Sequence, residues 1–162
     1  MLGLQDEHFK VAVVRSPLVY GVGVKANMYN LVKLVNRFSL LPLGGINNRR
    51  SMVYVGNLVA LLKHIIQTQA SGIFIAGDRE PLSTTKLVQL IGKASSKKVF
   101  LFKVPGFMLA LAKLLKPSVV DRLFGSLELD NSGTNKRLNF VPPYSSQEGI
   151  CEMVEWYKTS CQ

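Results

Sequence analysis

The chain has 162 residues, 48% of them hydrophobic, and a formal net charge of +10. That length supports one domain with a sizeable core, and the composition excludes a disordered or low-complexity chain. A membrane-spanning helix is excluded too, because the longest apolar stretch, Phe107 to Leu115, is broken by Lys113 and falls well short of the roughly 20 residues a bilayer needs. The opening MLGLQDEHFK has no basic segment leading into an apolar run, so it does not read as a secretory signal. Cys151 and Cys161 have neither metal-ligand nor redox spacing, which predicts reduced thiols and a cytoplasmic location. His8 and His64 stand apart, and no metal site is expected.

In chain order, Lys10 to Arg15 (KVAVVR) is a β-branched run that predicts a strand buried on both faces, as in a parallel sheet. The loop SPLVYGVGVK follows. Met28, Leu31, Val32 and Val35 then recur at helical spacing. Leu40 to Gly45 is turn-rich, and Ser51 to Val55 reads as extended. Leu58, Leu61, Leu62, Ile65 and Ile66 mark a second helix face, ended by Ser71-Gly72. Gly72 to Ala76 is a second short buried strand. Ser83 is positioned to cap a helix carrying Leu87, Val88 and Ile91. Lys98 to Val104 predicts a strand, and Pro105 opens an apolar helix that Pro117 ends. Ser126 to Leu129 is extended. A capping box, Ser145 to Glu148, starts a last helix with Ile150, Met153, Val154 and Tyr157 inward. This alternation is mixed α/β. Two short apolar strands do not make a self-sufficient parallel sheet, so residues 1–162 are expected to be a single piece of a larger assembly.

The charge is unevenly spread. His8 to Gly77 holds eight Lys or Arg and no acid, Pro81 to Val120 holds seven and none, and the remainder from Asp121 holds four against six acids. A polyanion, a small diphosphate, or simple balance by acids elsewhere would each account for this.

Two motifs are set aside. Gly21-Val-Gly23-Val-Lys-Ala26 has the spacing of a dinucleotide fingerprint. It lies six residues beyond the strand, and no acid follows before Gly77 to hold a ribose. Tyr29 and Lys33 have the Tyr-x-x-x-Lys spacing of a catalytic base pair, which recurs by chance on many helices.

Four stretches taken in order carry a resemblance. They are Arg15-Ser-Pro-Leu-Val-Tyr-Gly-Val-Gly23, Arg50-Ser-Met-Val-Tyr-Val-Gly-Asn-Leu58, Phe74-Ile-Ala-Gly-Asp78 with Pro81-Leu-Ser83, and Gly125-Ser-Leu-Glu-Leu-Asp130 with Leu138-Asn-Phe-Val-Pro-Pro143 and Trp156. Each is weak alone. As an ordered set they resemble the R-P-P-L-V-Y-G-P-G, R-D-[YF]-[IV]-[HY]-V-x-D-[LV], last-strand and closing segments of the extended short-chain dehydrogenase/reductases. This is the NAD-dependent epimerase/dehydratase family, and its nucleotide-sugar epimerases are the nearest in pattern. The match runs over about residues 9 to 158.

The resemblance implies the last strands and helices of a Rossmann-type sheet plus the small substrate-binding domain. The cofactor loop and the catalytic Tyr-x-x-x-Lys helix would precede the matched segment, so an N-terminal half is implied as partner, and no catalytic residue is expected in this chain. It implies NAD and a nucleotide-diphosphate sugar as ligands of the parent enzyme, with NAD not expected to bind well to this chain alone, and chemistry at the sugar C4 through a keto intermediate. Arg50 corresponds to a diphosphate-binding arginine. Lys25 and Asn27 lie where the family loop nears the sugar nucleotide, and Asn27 is also a candidate helix cap. Leu41 and Leu43 fall on the piece around the base. Arg122 corresponds to a second phosphate-binding arginine, although Gly125-Ser126 replaces the acid that follows it. Ser16, Pro17, Leu18 and Val19 form the loop beneath the nicotinamide. Leu18 stands where many 4-epimerases have a substrate-binding asparagine, which suits an N-acetylated or deoxy sugar as well. A dehydratase or reductase of the same family uses the same scaffold. A basic nucleic-acid-binding module is the alternative from another class, but no nucleic-acid motif or stacking platform is evident. The expected partners therefore include no nucleic acid and no membrane, with self-association of the chain through its open strand edge.

Overall fold

The computed structural model describes residues 9–106, 114, 121 and 123–160. The elements are β1 (Ala12–Arg15), β2 (Leu18–Tyr20), α1 (Ala26–Arg37), β3 (Leu40–Leu41), β4 (Met52–Tyr54), α2 (Val55–Gln67), β5 (Gly72–Ile75), α3 (Thr84–Ala94), β6 (Phe100–Leu101), α4 (Ser132–Leu138) and α5 (Ser146–Ser160). The strands form three parallel pairs, β1 with β5, β2 with β4 and β3 with β6. The architecture is mixed α/β, as expected. The helix expected from Pro105 to Pro117 falls almost wholly outside the described residues.

The main core is built where apolar periodicity was strongest. Met28, Val32 and Val35 of α1, Leu87, Val88 and Ile91 of α3, and Ile150, Met153 and Val154 of α5 are all buried and pack into one cluster. Ser83 caps α3, its Oγ accepting from the Lys86 N–H at 3.1 Å. The capping box of α5 is complete: the Ser145 N–H donates to Glu148 Oε2 at 2.7 Å and the Glu148 N–H to Ser145 Oγ at 3.3 Å. A second cluster gathers Val53, Leu61, Ile65, Phe74 and Leu138.

Several expectations need correction. β1 is not buried on both faces: Ala12 and Arg15 are exposed and Val13 and Val14 half-buried. Among the described residues β1 pairs with β5 alone. The stripe of α2 is narrower than its composition suggests. Leu61 and Ile65 are buried together with Asn57, whereas Leu62 and Ile66 face outward. The strand expected over Lys98 to Val104 shrinks to Phe100–Leu101. Two short strands, β2 and β3, arise in stretches read as loop and turn. They are held by pairing with β4 and β6, which no local pattern announces.

Candidate functional site

The segment Arg49–Ser51 is clamped from both sides. On one side Arg50 and Leu82 exchange N–H···O bonds, each 3.0 Å. On the other the Ser51 N–H donates to Leu127 O at 2.8 Å and the Leu127 N–H to Arg49 O at 2.9 Å. Because side chains alternate along extended backbone, Arg49 and Ser51 share one side and Arg50 takes the other. Arg49 makes a fork to Glu128, with Nε and Nη2 each 2.7 Å from a carboxylate oxygen. That bond holds the Glu128 carboxyl below its ordinary range. Ser51 Oγ accepts from the Leu129 N–H at 2.9 Å. The Arg50 guanidinium, half-buried, donates to Gly125 O at 3.1 Å.

Asn48 fixes the same loop from beneath. Its amide nitrogen donates to Gly125 O at 2.9 Å and Leu123 O at 3.2 Å, and its Oδ1 accepts from the Thr84 N–H at 2.8 Å. Asn48 and Thr84 tie the start of α3 to the segment that carries Arg50. Sequence reasoning missed both, since a buried asparagine in a turn carries no periodic signal.

A second polar centre lies behind β4. The Asp78 carboxyl accepts from Asn57 Nδ2 at 2.7 Å, the Tyr54 N–H at 3.0 Å and Tyr20 Oη at 2.6 Å. Asn57 stands where the matched segment pattern carries an acid. Here the acid of this cluster is supplied by Asp78. Burial, reinforced by Asp78, pushes the Tyr20 phenol far above its ordinary value. Burial and a hydrogen bond to Glu152 push Tyr54 up to about 12. These groups are locked in mutual bonds, a structural role.

A cleft of about 330 Å³ opens on the Arg49 side, lined by Asp78, Arg79, Glu80, Glu128, Asp130 and others. Four acids against two arginines disfavour a diphosphate there by simple Coulomb repulsion. Arg50 does not line it.

The remaining expected site residues are scattered. Lys25 is exposed and occupies the N-cap position of α1 without a side-chain cap bond. Asn27 is exposed one residue inside the helix, so it is not the cap. Leu41 and Leu43 are buried in the main core, and Leu43 O accepts from Thr85 Oγ1 at 2.7 Å. Arg122 lies outside the described residues.

Ser16, Leu18 and Val19 are exposed and Pro17 is half-buried. As a cofactor site this loop fits one wall only: an apolar surface, with Leu18–Tyr20 paired to β4. Gly21 is no phosphate cradle. Its φ is +141°, and an added Cβ would lie 2.6 Å from Val55 Cγ1, so glycine is required there for close packing. Tyr29 packs edge-on against Tyr157 at 5.3 Å and Trp156 at 6.5 Å between ring centres, and Lys33 is exposed. No group of His, Cys, Asp or Glu among the described residues could hold a metal ion.

The described residues thus combine parallel strand pairs, interleaved helices and an arginine clamped ahead of β4. No family model matches the chain. Over 90% of its length it is 37% identical to UDP-glucose 4-epimerase of Vibrio cholerae, covering 46% of that protein. It is 23% identical to N-acetyl-alpha-D-glucosaminyl-diphospho-ditrans,octacis-undecaprenol 4-epimerase of Escherichia coli O157:H7, over 90% of the chain and 49% of the relative. The solved UDP-glucuronic acid 4-epimerase of Bacillus cereus with NAD shares the fold, with TM-score 0.67, 15% identity, and 96% of this chain against 47% of that one. UDP-glucose 4-epimerase of Vibrio cholerae is thus a homologue of the chain, which spans about half the length of the curated relatives it matches.

Proposed function

We propose that this chain is the substrate-gripping part of an NAD-dependent sugar-nucleotide epimerase, with Arg50 as the handle on the diphosphate. The supporting observation is the clamp around Arg49–Ser51. It commits Arg49 to Glu128 and, by the alternation of extended backbone, turns Arg50 to the opposite side, away from the acids that line the cleft. A guanidinium grips phosphate oxygens in a planar fork and keeps its charge at any working pH. The diphosphate is common to UDP-sugars and to the lipid-linked substrate named for the E. coli relative, so the grip itself is indifferent to the carrier. In this reading the sugar is oxidised at C4 and reduced from its other face. The residues of this chain hold the substrate so that one ring turns against a fixed handle. NAD, when bound, supplies the hydride chemistry, and Ser16 to Val19 would form one wall beside it.

Calorimetry with a UDP-hexose on the full-length enzyme tests the handle, because this chain alone is expected to bind only weakly. Arg50→Ala should weaken binding about tenfold to a hundredfold, the size of a lost charge-assisted hydrogen bond. Arg50→Lys should recover only part, because an ammonium cannot reproduce the fork. Arg49→Ala should matter less. Damage from Arg49→Ala with a silent Arg50→Ala would move the site to the cleft side. Silence of both would remove the diphosphate site from this segment.

A further inference from the structure

Four large apolar side chains stand together on one face of the β3·β6 ribbon. Parallel pairing sets Leu40 opposite Phe100 and Leu41 opposite Leu101. Alternation turns Leu41 and Leu101 into the core. Phe38, Leu40, Phe100 and Phe102 turn outward, with exposures of 47%, 62%, 65% and 45%. The ribbon is well tied: the Phe100 N–H donates to Ser39 O at 2.7 Å, the Phe102 N–H to Leu41 O at 3.1 Å and the Gly44 N–H to Phe102 O at 3.0 Å. Scattered exposed apolar residues are ordinary, but a contiguous apolar face on ordered backbone marks an interaction surface.

The rim of this face is cationic. The Arg37 guanidinium sits 5.4 Å from the centre of the Phe38 ring. Lys97 and Lys98 precede Phe100 in the chain and both are exposed, whereas Lys103 lies with its side chain over Gly45. The Lys97 ammonium donates to Asn36 O, which anchors it beside the end of α1. Neither ribbon strand, nor α1, nor α3 contains a single acid. The acids of α5, Glu148, Glu152 and Glu155, belong to the helix packed behind α1 and α3.

We propose that this ribbon face docks on an anionic lipid bilayer, the four apolar side chains entering the headgroup layer and the cations meeting lipid phosphates. Apolar residues rimmed by Lys and Arg are the chemistry of interfacial binding. A second copy of the chain would bring the same cations face to face. A single-stranded nucleic acid would match the charge and could stack on the phenylalanines, but Leu40, paired opposite Phe100, offers it no stacking face. The expectation of no membrane partner rested on the lack of a spanning helix, and peripheral docking needs none. The proposal does not depend on the assignment of Arg50.

Vesicle flotation of the whole chain tests it, using pure phosphatidylcholine and mixed phosphatidylcholine–phosphatidylglycerol vesicles. The chain should float with the mixed vesicles, and salt should weaken the binding. Lys97→Gln and Lys98→Gln should each weaken partition about fivefold. Phe100→Ser and Phe102→Ser should each weaken it about tenfold or more, with unchanged circular dichroism and melting because both side chains are exposed. Absence of flotation at low salt would overturn the proposal. So would flotation untouched by the phenylalanine changes, which would leave only diffuse charge. Lipid-free sedimentation in which Phe100→Ser dissolves a dimer would assign the face to a second copy. Random single-stranded RNA bound through the same phenylalanines, with no vesicle binding, would assign it to nucleic acid.

Discussion

Tyr20 and Asp78, 58 residues apart in the chain, meet inside the protein through a 2.6 Å hydrogen bond from the phenol to Oδ2. The bond joins β2 to the loop after β5. Asp78 also accepts from the Tyr54 N–H and Asn57 Nδ2, so one carboxyl holds β2, β4 and α2 in register.

Tyr20→Phe should therefore lower the unfolding free energy by about 1.5–3 kcal/mol, the value of a hydrogen bond to a charged group. Asp78→Ala should cost more, because it strands several buried donors at once. Chemical denaturation measures both. The raised phenol of Tyr20 gives a second readout. A phenol whose folded pKa is raised contributes stability below its unfolded value of 10.0, and that contribution is lost as pH climbs beyond it. The alkaline limb of the stability profile should flatten in Tyr20→Phe. Equal alkaline limbs would mean that the Tyr20 phenol is not held protonated by its burial and by Asp78.

The helices α1, α2, α3 and α5 were legible in the sequence because each carries several turns of periodic apolar residues, such as Met28, Val32 and Val35, or Ile150, Met153 and Val154, whereas α4 (SGTNKRL) carries no apolar period and was missed. The caps at Ser83 and Ser145 are equally local in origin. β2, β3 and the Asp78 centre were not legible. Two- and three-residue strands carry no period, and the Asp78 centre is assembled from residues 20, 54, 57 and 78 by the fold itself. Arg50 was visible as a motif residue. That Arg49 is bound to Glu128, which distinguishes the two neighbours, depends on a contact 79 residues away.

Tyr29 and Lys33 should be catalytically idle. The Tyr29 ring is spent on an aromatic contact with Trp156 and Tyr157. A base needs its hydroxyl at a reacting hydrogen and a lysine that lowers its pKa. Purified chain given NAD and UDP-glucose should show no turnover in a coupled assay, and Tyr29→Phe should change only stability. Turnover abolished by Tyr29→Phe would put catalysis on α1.

The edge of β1 away from β5, unpaired among the described residues, should promote association. Ala12 and Arg15 are exposed, and the opposite edge alone is bonded to β5. An open parallel edge offers unpaired N–H and C=O groups to another chain. Sedimentation across the micromolar range should show concentration-dependent self-association that persists in Phe100→Ser, which separates this edge from the ribbon face. A monomer throughout, with ordinary thermal stability, would show that the edge is protected.

The capping box should give α5 an acid-sensitive anchor. Hydrogen bonds from the Ser145 hydroxyl and N–H hold the Glu148 carboxyl below its ordinary 4.5. A depressed carboxyl contributes stability that is complete above the unfolded value and is lost as pH falls through the folded one. Wild type and Glu148→Gln should therefore differ by a constant amount near neutrality and converge in acid below 4.5. Exposed Glu128 and Asp130 are also depressed, but they titrate in both proteins and cancel in the comparison. Ser145→Ala should cost about 0.5–2 kcal/mol near neutral pH and should blunt the same acid transition, since it removes the largest cause of the Glu148 shift. Because α5 delivers Ile150, Met153 and Val154 to the core, fraying at its start reaches the global unfolding curve. Parallel acid profiles of wild type and Glu148→Gln would show that the box does not couple α5 to pH.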